Sequence, residues 1–210
     1  ATLGPAVRDD GGVTLSADGF EPLTIRPPAP DATRMPTTVW SDVVDAQVAD
    51  GEANAWISRW LGRSAWLAWM PDDAPRPTAL VPDVDVSFAD GYPFLLCSQA
   101  SLEDLGSRMG DGIPMERFRP NLVVEGAAPW VEESWRRLKI GDVEFECVKP
   151  CQRCVVITTD QRSGERKGSD PLRTLADRKD GPDNGAFFGM NLVALSSGRL
   201  ALDDRVEPLA

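Results

Sequence analysis

The chain of 210 residues contains no histidine. That absence removes Ser-His-Asp and Cys-His catalysis, histidine-ligated zinc and histidine general bases. Any chemistry therefore falls to Cys, Asp, Glu, Lys, Arg and hydroxyl groups. Positive charge is also short: Lys and Arg number 22 against 33 Asp and Glu, a formal charge of -11. Such a surface repels nucleic acid and anionic membranes on average, so an anionic ligand has to be held by a local basic cluster. No run of about 20 apolar residues occurs, and the N-terminus lacks the basic-then-apolar layout of a secretory leader. These absences predict a soluble chain in a reducing compartment, the cytoplasm, with no nucleic acid and no membrane among its partners. Only four cysteines are present, and a chain of this length can bury a core in one large or two small domains without covalent staples. Its first residue is Ala1 rather than Met, and "ATLGPAVRDDGGVTLSADG" reads as a chain entered midway through a sheet, so a fragment or processed product is expected.

Short strand-like runs dominate what is there. "GGVTL", "EPLTIRPP" and "TTVWSDVVDAQV" are separated by Gly, Pro and Asp clusters. The stretch "DGEANAWISRWLG" places Ala53, Trp56, Ile57, Trp60 and Leu61 at helical spacing between Asp50 and Gly62, which predicts a helix with a tryptophan-rich core stripe. A proline-rich loop then leads to Val84, Val86 and Phe88, whose alternation predicts a strand. "SQASLEDLGSRMG" predicts a second helix, with Ser101 and Asp104 in capping-box spacing and Gly110 as its stop. Further on, "NLVVEG", "DVEFECV", "CVVITTD" and "MNLVAL" read as strands, closed by "GRLALDDRVEPL". Many strands with inserted helices predict a mainly β, α+β fold in the form of a β-barrel rather than an alternating α/β sheet.

"CVKPCQRC" places three of the four cysteines within eight residues, at Cys147, Cys151 and Cys154. Structural zinc needs four N or S ligands, and here the only other thiol is Cys97 with no histidine to complete a set. A thioredoxin-like pair belongs at a helix N-terminus, whereas Cys154 is expected to open a β-branched strand. Strand alternation puts Val143, Phe145 and Cys147 on one face, so Cys147 reads as a core thiol and Cys151 and Cys154 are left in a loop. Arg153 directly precedes Cys154, with Lys149 close behind, and a guanidinium beside a thiol favours its anion, a soft-metal ligand. One thiolate with cationic neighbours suits a metal held jointly with a phosphorylated organic cofactor; plain structural cysteines are the alternative. Arg119 reads either as an anion contact or as the partner of a surface carboxylate, and Asn121 either as a contact or as a turn cap. Asp160, Arg162 and Gly164 read as a hairpin turn, and Asp203 and Asp204 as a last turn rather than a metal site.

The ordered blocks "YPFLLCSQASLEDL", "RFRPNLVVEG", "WRRLKIGDVEFECVKPCQRCVVITTD", "PLRTLADRK", "FFGMNLV" and "GRLALDDRVEPL" resemble the MOSC domain family, and within it the amidoxime-reducing components and their bacterial relatives. The resemblance implies a MOSC-type β-barrel core over 89–210, preceded by an N-terminal linker and strand region with one helix over 1–88. It implies a molybdenum cofactor, independent of pyridoxal phosphate, with Cys154 as metal ligand and catalytic residue. Arg119, Asn121, Gln152 and Arg153 match cofactor-contacting positions. Gly91 and Tyr92 stand where the reductases carry hydroxyl residues, and Asn191 stands where they carry a tyrosine. The implied activity is reduction of small N-hydroxylated substrates, with electrons from a donor protein of ferredoxin, flavodoxin or cytochrome/reductase type. A non-catalytic cofactor or sulfur carrier using the Cys154 thiol is the alternative. Relatives also begin with a "YPVKS"-like turn and a "DRRW"-like strand, absent here, so weak cofactor binding is expected unless another chain supplies that segment.

Overall fold

The computed structural model describes residues 3–166, 168–182 and 185–209. The chain separates into two compact units, residues 1–77 with 85–90, and residues 78–84 with 91–210.

In the first unit, β1 (Gly4–Val7), β2 (Val13–Ala17) and β3 (Phe20–Ile25) form one antiparallel sheet. A second antiparallel sheet contains β4 (Arg34–Val39), β5 (Asp42–Val48) and β6 (Ala68–Trp69). The predicted helix is α1 (Gly51–Leu61): the Asp50 carboxylate accepts the Ala53 N–H at 2.8 Å, and Gly62, at φ 66°, stops the helix in the left-handed conformation that costs glycine nothing. Its tryptophan stripe is core. Trp56 is buried, stands edge-on to Phe20 at 5.4 Å and donates its indole N–H to the Glu21 carbonyl at 2.8 Å. Aromatic burial of this kind contributes about 2–3 kcal/mol.

The strand expected at Val84–Phe88 does not form. Val86 is buried as the alternation requires, yet the segment makes only an isolated bridge between Pro77 and Asp85. Its carbonyls go instead to the buried Arg76 guanidinium, which donates to Ser87 O at 2.7 Å, Ala89 O at 2.6 Å and Asp90 O at 3.0 Å, and pairs with Asp42 at 2.8 Å. A charged fork has replaced the ladder of a neighbouring strand.

The second unit contains β7 (Phe94–Ser98), α2 (Gln99–Met109), β8 (Leu122–Val124), β9 (Arg137–Ile140), β10 (Val143–Gln152), α3 (Leu172–Ala176), β11 (Phe187–Ala194) and β12 (Val206–Leu209). One sheet runs β12-β9-β10-β11-β7-β8, antiparallel except for the β7–β8 pair. It curls through half a barrel and does not close, with β12 and β8 as its edges. The sheet carries a core on each face. Phe145, Cys147, Met190 and Leu96 belong to one, while Cys97, Phe188 and Phe118 pack with α2, α3 and Ile157 in the other. A sheet covered on both faces needs no barrel interior, and edges of three and four residues are short enough to stay unpaired.

Two local expectations also change. α2 starts earlier than its capping-box spacing suggests: Ser98 is the cap, and Ser101 is a buried first-turn residue that donates to Glu132 and accepts from the Trp130 N–H, each at 2.7 Å. "CVVITTD" is no strand either, because Val155–Thr158 forms a 3-10 turn. Ile157 and Thr158 turn inward while Val155 and Val156 stay exposed, and the Thr158 hydroxyl donates to Val155 O at 2.7 Å. Strand preference in β-branched residues reflects packing on a pleated surface, and among the described residues no strand pairs with Val155–Thr158, the segment making only an isolated bridge from Thr159 to Arg166.

Candidate functional site

The end of β10 organises the candidate site. Its register against β11 slips at Val148 and again near Cys151, where β11 contributes Gly189 at φ 78°. A Cβ on Gly189 would lie 2.6 Å from Leu96 O and 2.8 Å from Cys97 Sγ, so a side chain is excluded by both conformation and space. Bulges of this kind re-aim side chains at the rim of a sheet. Between the two slips, Lys149 pairs with Asn191, which pairs with Leu95. Asn121 extends the row: its N–H donates to Leu95 O at 3.0 Å, and its Oδ1 accepts the Leu95 N–H at 2.7 Å. Its Nδ2 has no protein partner among the described residues. Lys149 and Asn191 thus share a row with the Leu95–Asn121 link, on one face of three strands.

Beyond β10 the sequence turns at Arg153. The Arg153 N–H donates to Ala186 O at 2.7 Å, its Nη1 lies 3.0 Å from Cys151 Sγ, and its Nη2 donates to Phe118 O at 2.6 Å. The guanidinium also covers the Phe118 ring at 5.4 Å. It faces Cys151, therefore, and not the Cys154 thiol beside it in sequence. Cys151 belongs to the end of β10 rather than to a loop. Cys154 follows with extended backbone at the start of the 3-10 turn and is exposed.

Phe118 is fully buried, and the next residue, Arg119, takes φ 56°. A non-glycine residue in this left-handed region costs about 1–2 kcal/mol, a strain that recurs at functional sites. Arg119 is exposed and makes no ion pair among the described residues, so the surface-pair reading has no support in the geometry. Arg117, passed over in the sequence reading, is mostly buried with its Nε unpartnered and its Nη2 3.9 Å from Asp160. Its position in the same "RFRPN" block as Arg119 was the available signal. Gln152 is exposed, its backbone paired with Phe187. Tyr92 is buried, with no hydrogen bond to its Oη among the described residues and the Lys149 ammonium 5.4 Å over its ring. Burial pushes its phenol up. Gly91 beside it has open space where a Cβ would stand.

All four cysteines are free. Burial pushes the Cys97 thiol up to about 12 and the Cys147 thiol up to about 11, so neither is an anion near neutrality. Among the described residues no cluster of three or more Cys, Asp or Glu side chains could hold a metal. What remains is a single exposed thiol, Cys154, in a unit that also exposes the Arg119 guanidinium, the Lys149 ammonium and the amides of Asn121 and Gln152. The expected hairpin at Asp160 forms, its carboxylate accepting the Arg162 and Ser163 N–H groups. Asp204 closes the last turn by accepting the Ala201 N–H at 2.7 Å.

A MOSC domain matches residues 83–207. The chain belongs to the MOSC domain family. It is similar to mitochondrial amidoxime-reducing component 1 of Mus musculus, 32% identical over 191 residues, covering 86% of this chain and 56% of that protein. The Homo sapiens protein of the same name is 35% identical over 171 residues, covering 74% of this chain and 51% of that protein. Molybdenum cofactor sulfurase of Oryza sativa subsp. japonica is 32% identical over 157 residues, 66% of this chain and 19% of that protein. This MOSC chain thus spans about half the length of the amidoxime-reducing relatives it matches. Among the described residues no helix is long and apolar enough to cross a membrane.

Proposed function

We propose that this MOSC chain holds a molybdenum cofactor through the Cys154 thiol, as part of an oxidoreductase acting on small N-hydroxylated compounds. The observation that carries the reading is one exposed thiol, at Cys154, beside Arg153, which bonds to the Phe118 carbonyl next to Arg119, a strained residue without an ion pair among the described residues. The residues fit such a group. Soft sulfur suits the metal, Arg119 and Lys149 offer charge to a phosphate or pterin oxygen, and the free amides of Asn121 and Gln152 offer donors. When bound, the cofactor supplies two-electron exchange of an oxo group with a substrate N–O bond.

The protein's own share is ligation, orientation and charge compensation. Arg153 has both terminal nitrogens engaged within the protein, which holds the "RFRPN" and "CQRC" blocks in a common frame. On this reading residues 89–210 form the core domain and residues 1–88 its N-terminal region, with electrons delivered by a separate donor protein. A second reading makes Cys154 the carrier of cofactor or persulfide sulfur without turnover; the exposed thiol and the likeness to molybdenum cofactor sulfurases favour it. The deciding experiment measures molybdenum and oxidised-pterin fluorescence in the purified chain, with mass spectrometry of Cys154. Molybdenum and pterin lost in Cys154→Ala support the first reading. A persulfide on Cys154 without molybdenum supports the second, and one equivalent of zinc with no pterin overturns both.

A further inference from the structure

The N-terminal unit contains a cavity of about 140 Å³ that the cofactor reading does not use. Val13 and Leu15 of β2, Ile25 of β3, Leu67 and Trp69 form its apolar wall, and Arg26 is the one charged residue lining it among the described residues. Most of this wall is half-buried rather than sealed, since of the five apolar side chains only Leu15 is fully covered. Exposed apolar surface around a void is stabilised by any apolar group that displaces its water. An apolar cavity of about 150 Å³ accepts a single benzene-sized ring, so this volume limits the occupant to one ring or its aliphatic equivalent.

Arg26 supplies the rest of the specification. It is exposed and makes no ion pair among the described residues, although the chain carries eleven more carboxylates than cations. Asp10, near the Arg26 backbone across the Gly12 turn, is held by Arg8 at 3.2 Å and by the Gly12 N–H at 3.1 Å. The Trp69 indole N–H likewise has no partner among the described residues. An apolar cavity lined by Arg26 and Trp69, whose guanidinium and indole N–H have no partner among the described residues, is complementary to a ring bearing a carboxylate. We propose that this cavity is a binding site for a small one-ring aromatic carboxylate, with the ring against Leu15, Ile25 and Leu67 and the carboxylate on Arg26.

The test titrates benzoate and its neutral isostere benzamide into the 210-residue chain by calorimetry, with nuclear Overhauser contacts recorded from the benzoate ring. Benzoate is expected to bind with a Kd of about 1 mM or tighter, about tenfold tighter than benzamide, with contacts to the Leu15, Ile25 and Leu67 methyl groups. Arg26→Met should remove that tenfold preference, and Ala68→Phe should abolish binding of both. Equal affinity for benzoate and benzamide overturns the proposal, as does an absence of benzoate binding. Ring contacts to any other set of methyl groups in the unmutated chain overturn it too, so the outcome stands even if Ala68→Phe does not fold.

Discussion

Arg119 and Arg153 are two guanidinium groups in adjoining blocks, and their surroundings give them opposite consequences on removal. Arg153 is half-buried and bonded to Cys151 Sγ, to Phe118 O and through its backbone to Ala186 O. Arg153→Ala is expected to lower the stability of the cofactor-free chain by about 2 kcal/mol, read by urea unfolding, because it strands the Phe118 carbonyl. Arg119 is exposed, without an ion pair among the described residues, and held at φ 56°. Arg119→Gly is expected to raise cofactor-free stability by about 0.5–1 kcal/mol while reducing molybdenum retention. A fall in stability would show that the side chain supports the fold. At the thiols, Cys154→Ala should remove molybdenum and Cys151→Ala should leave most of it, by metal analysis. Cys97 makes a pH prediction. Its folded value of about 12 lies above the ordinary thiol value, so below about pH 9 both states are protonated and stability is independent of this group. Between about pH 9 and 12 the unfolded chain ionises first, and stability should fall with a slope of up to about 1.4 kcal/mol per pH unit. Cys97→Ala should flatten that slope, whatever it does to the absolute stability.

At the level of elements, the β10–β11 pair is the critical one, because its two irregularities set where Lys149 and Asn191 point and where the chain leaves the sheet toward Cys154. Gly189→Ala meets Leu96 O and Cys97 Sγ inside contact distance at a positive φ, and should cost about 2 kcal/mol or more by thermal unfolding. In the first unit, the segment 85–90 is held by one buried side chain in place of a strand partner. Arg76→Met leaves Asp42 and three carbonyls without their donor, at a cost of about 3 kcal/mol, and limited proteolysis should then cut within 85–90.

For the whole molecule, a charge of -11 is self-repulsive. Raising NaCl from about 10 mM to 0.2 M at pH 7 should raise the unfolding temperature, because added ions screen repulsion between exposed carboxylates. Near pH 4.5, where many of those carboxylates are protonated, the same salt step should do little. A fall in the unfolding temperature on the same salt step at pH 7 would mean that attractive pairs, such as Arg108 with Asp104 and Asp180, dominate over net charge.

Local signals were legible in the sequence wherever the deciding contact lies within a few residues. Asp50 and Gly62 bound α1 as their spacing predicted, and Val143, Phe145 and Cys147 share a buried face as alternation required. The family was legible for a related reason: its ordered blocks are a property of the string, and the match over 83–207 includes most of them. Partners distant in sequence were not legible. Whether Val84–Phe88 or Val155–Thr158 became strands depended on whether another strand lay alongside, and in the first case Arg76 took that place. Arg153 sits beside Cys154 in sequence and beside Cys151 and Phe118 in space, because two side chains adjacent on an extended backbone point to opposite sides. The sequence by itself therefore determined the family, the bounds of α1 and the buried face of β10. The tertiary structure alone decided that the sheet stays open, that Arg153 is bonded inside the fold and that Arg119 has no ion pair among the described residues, since each depends on long-range packing that no local pattern encodes.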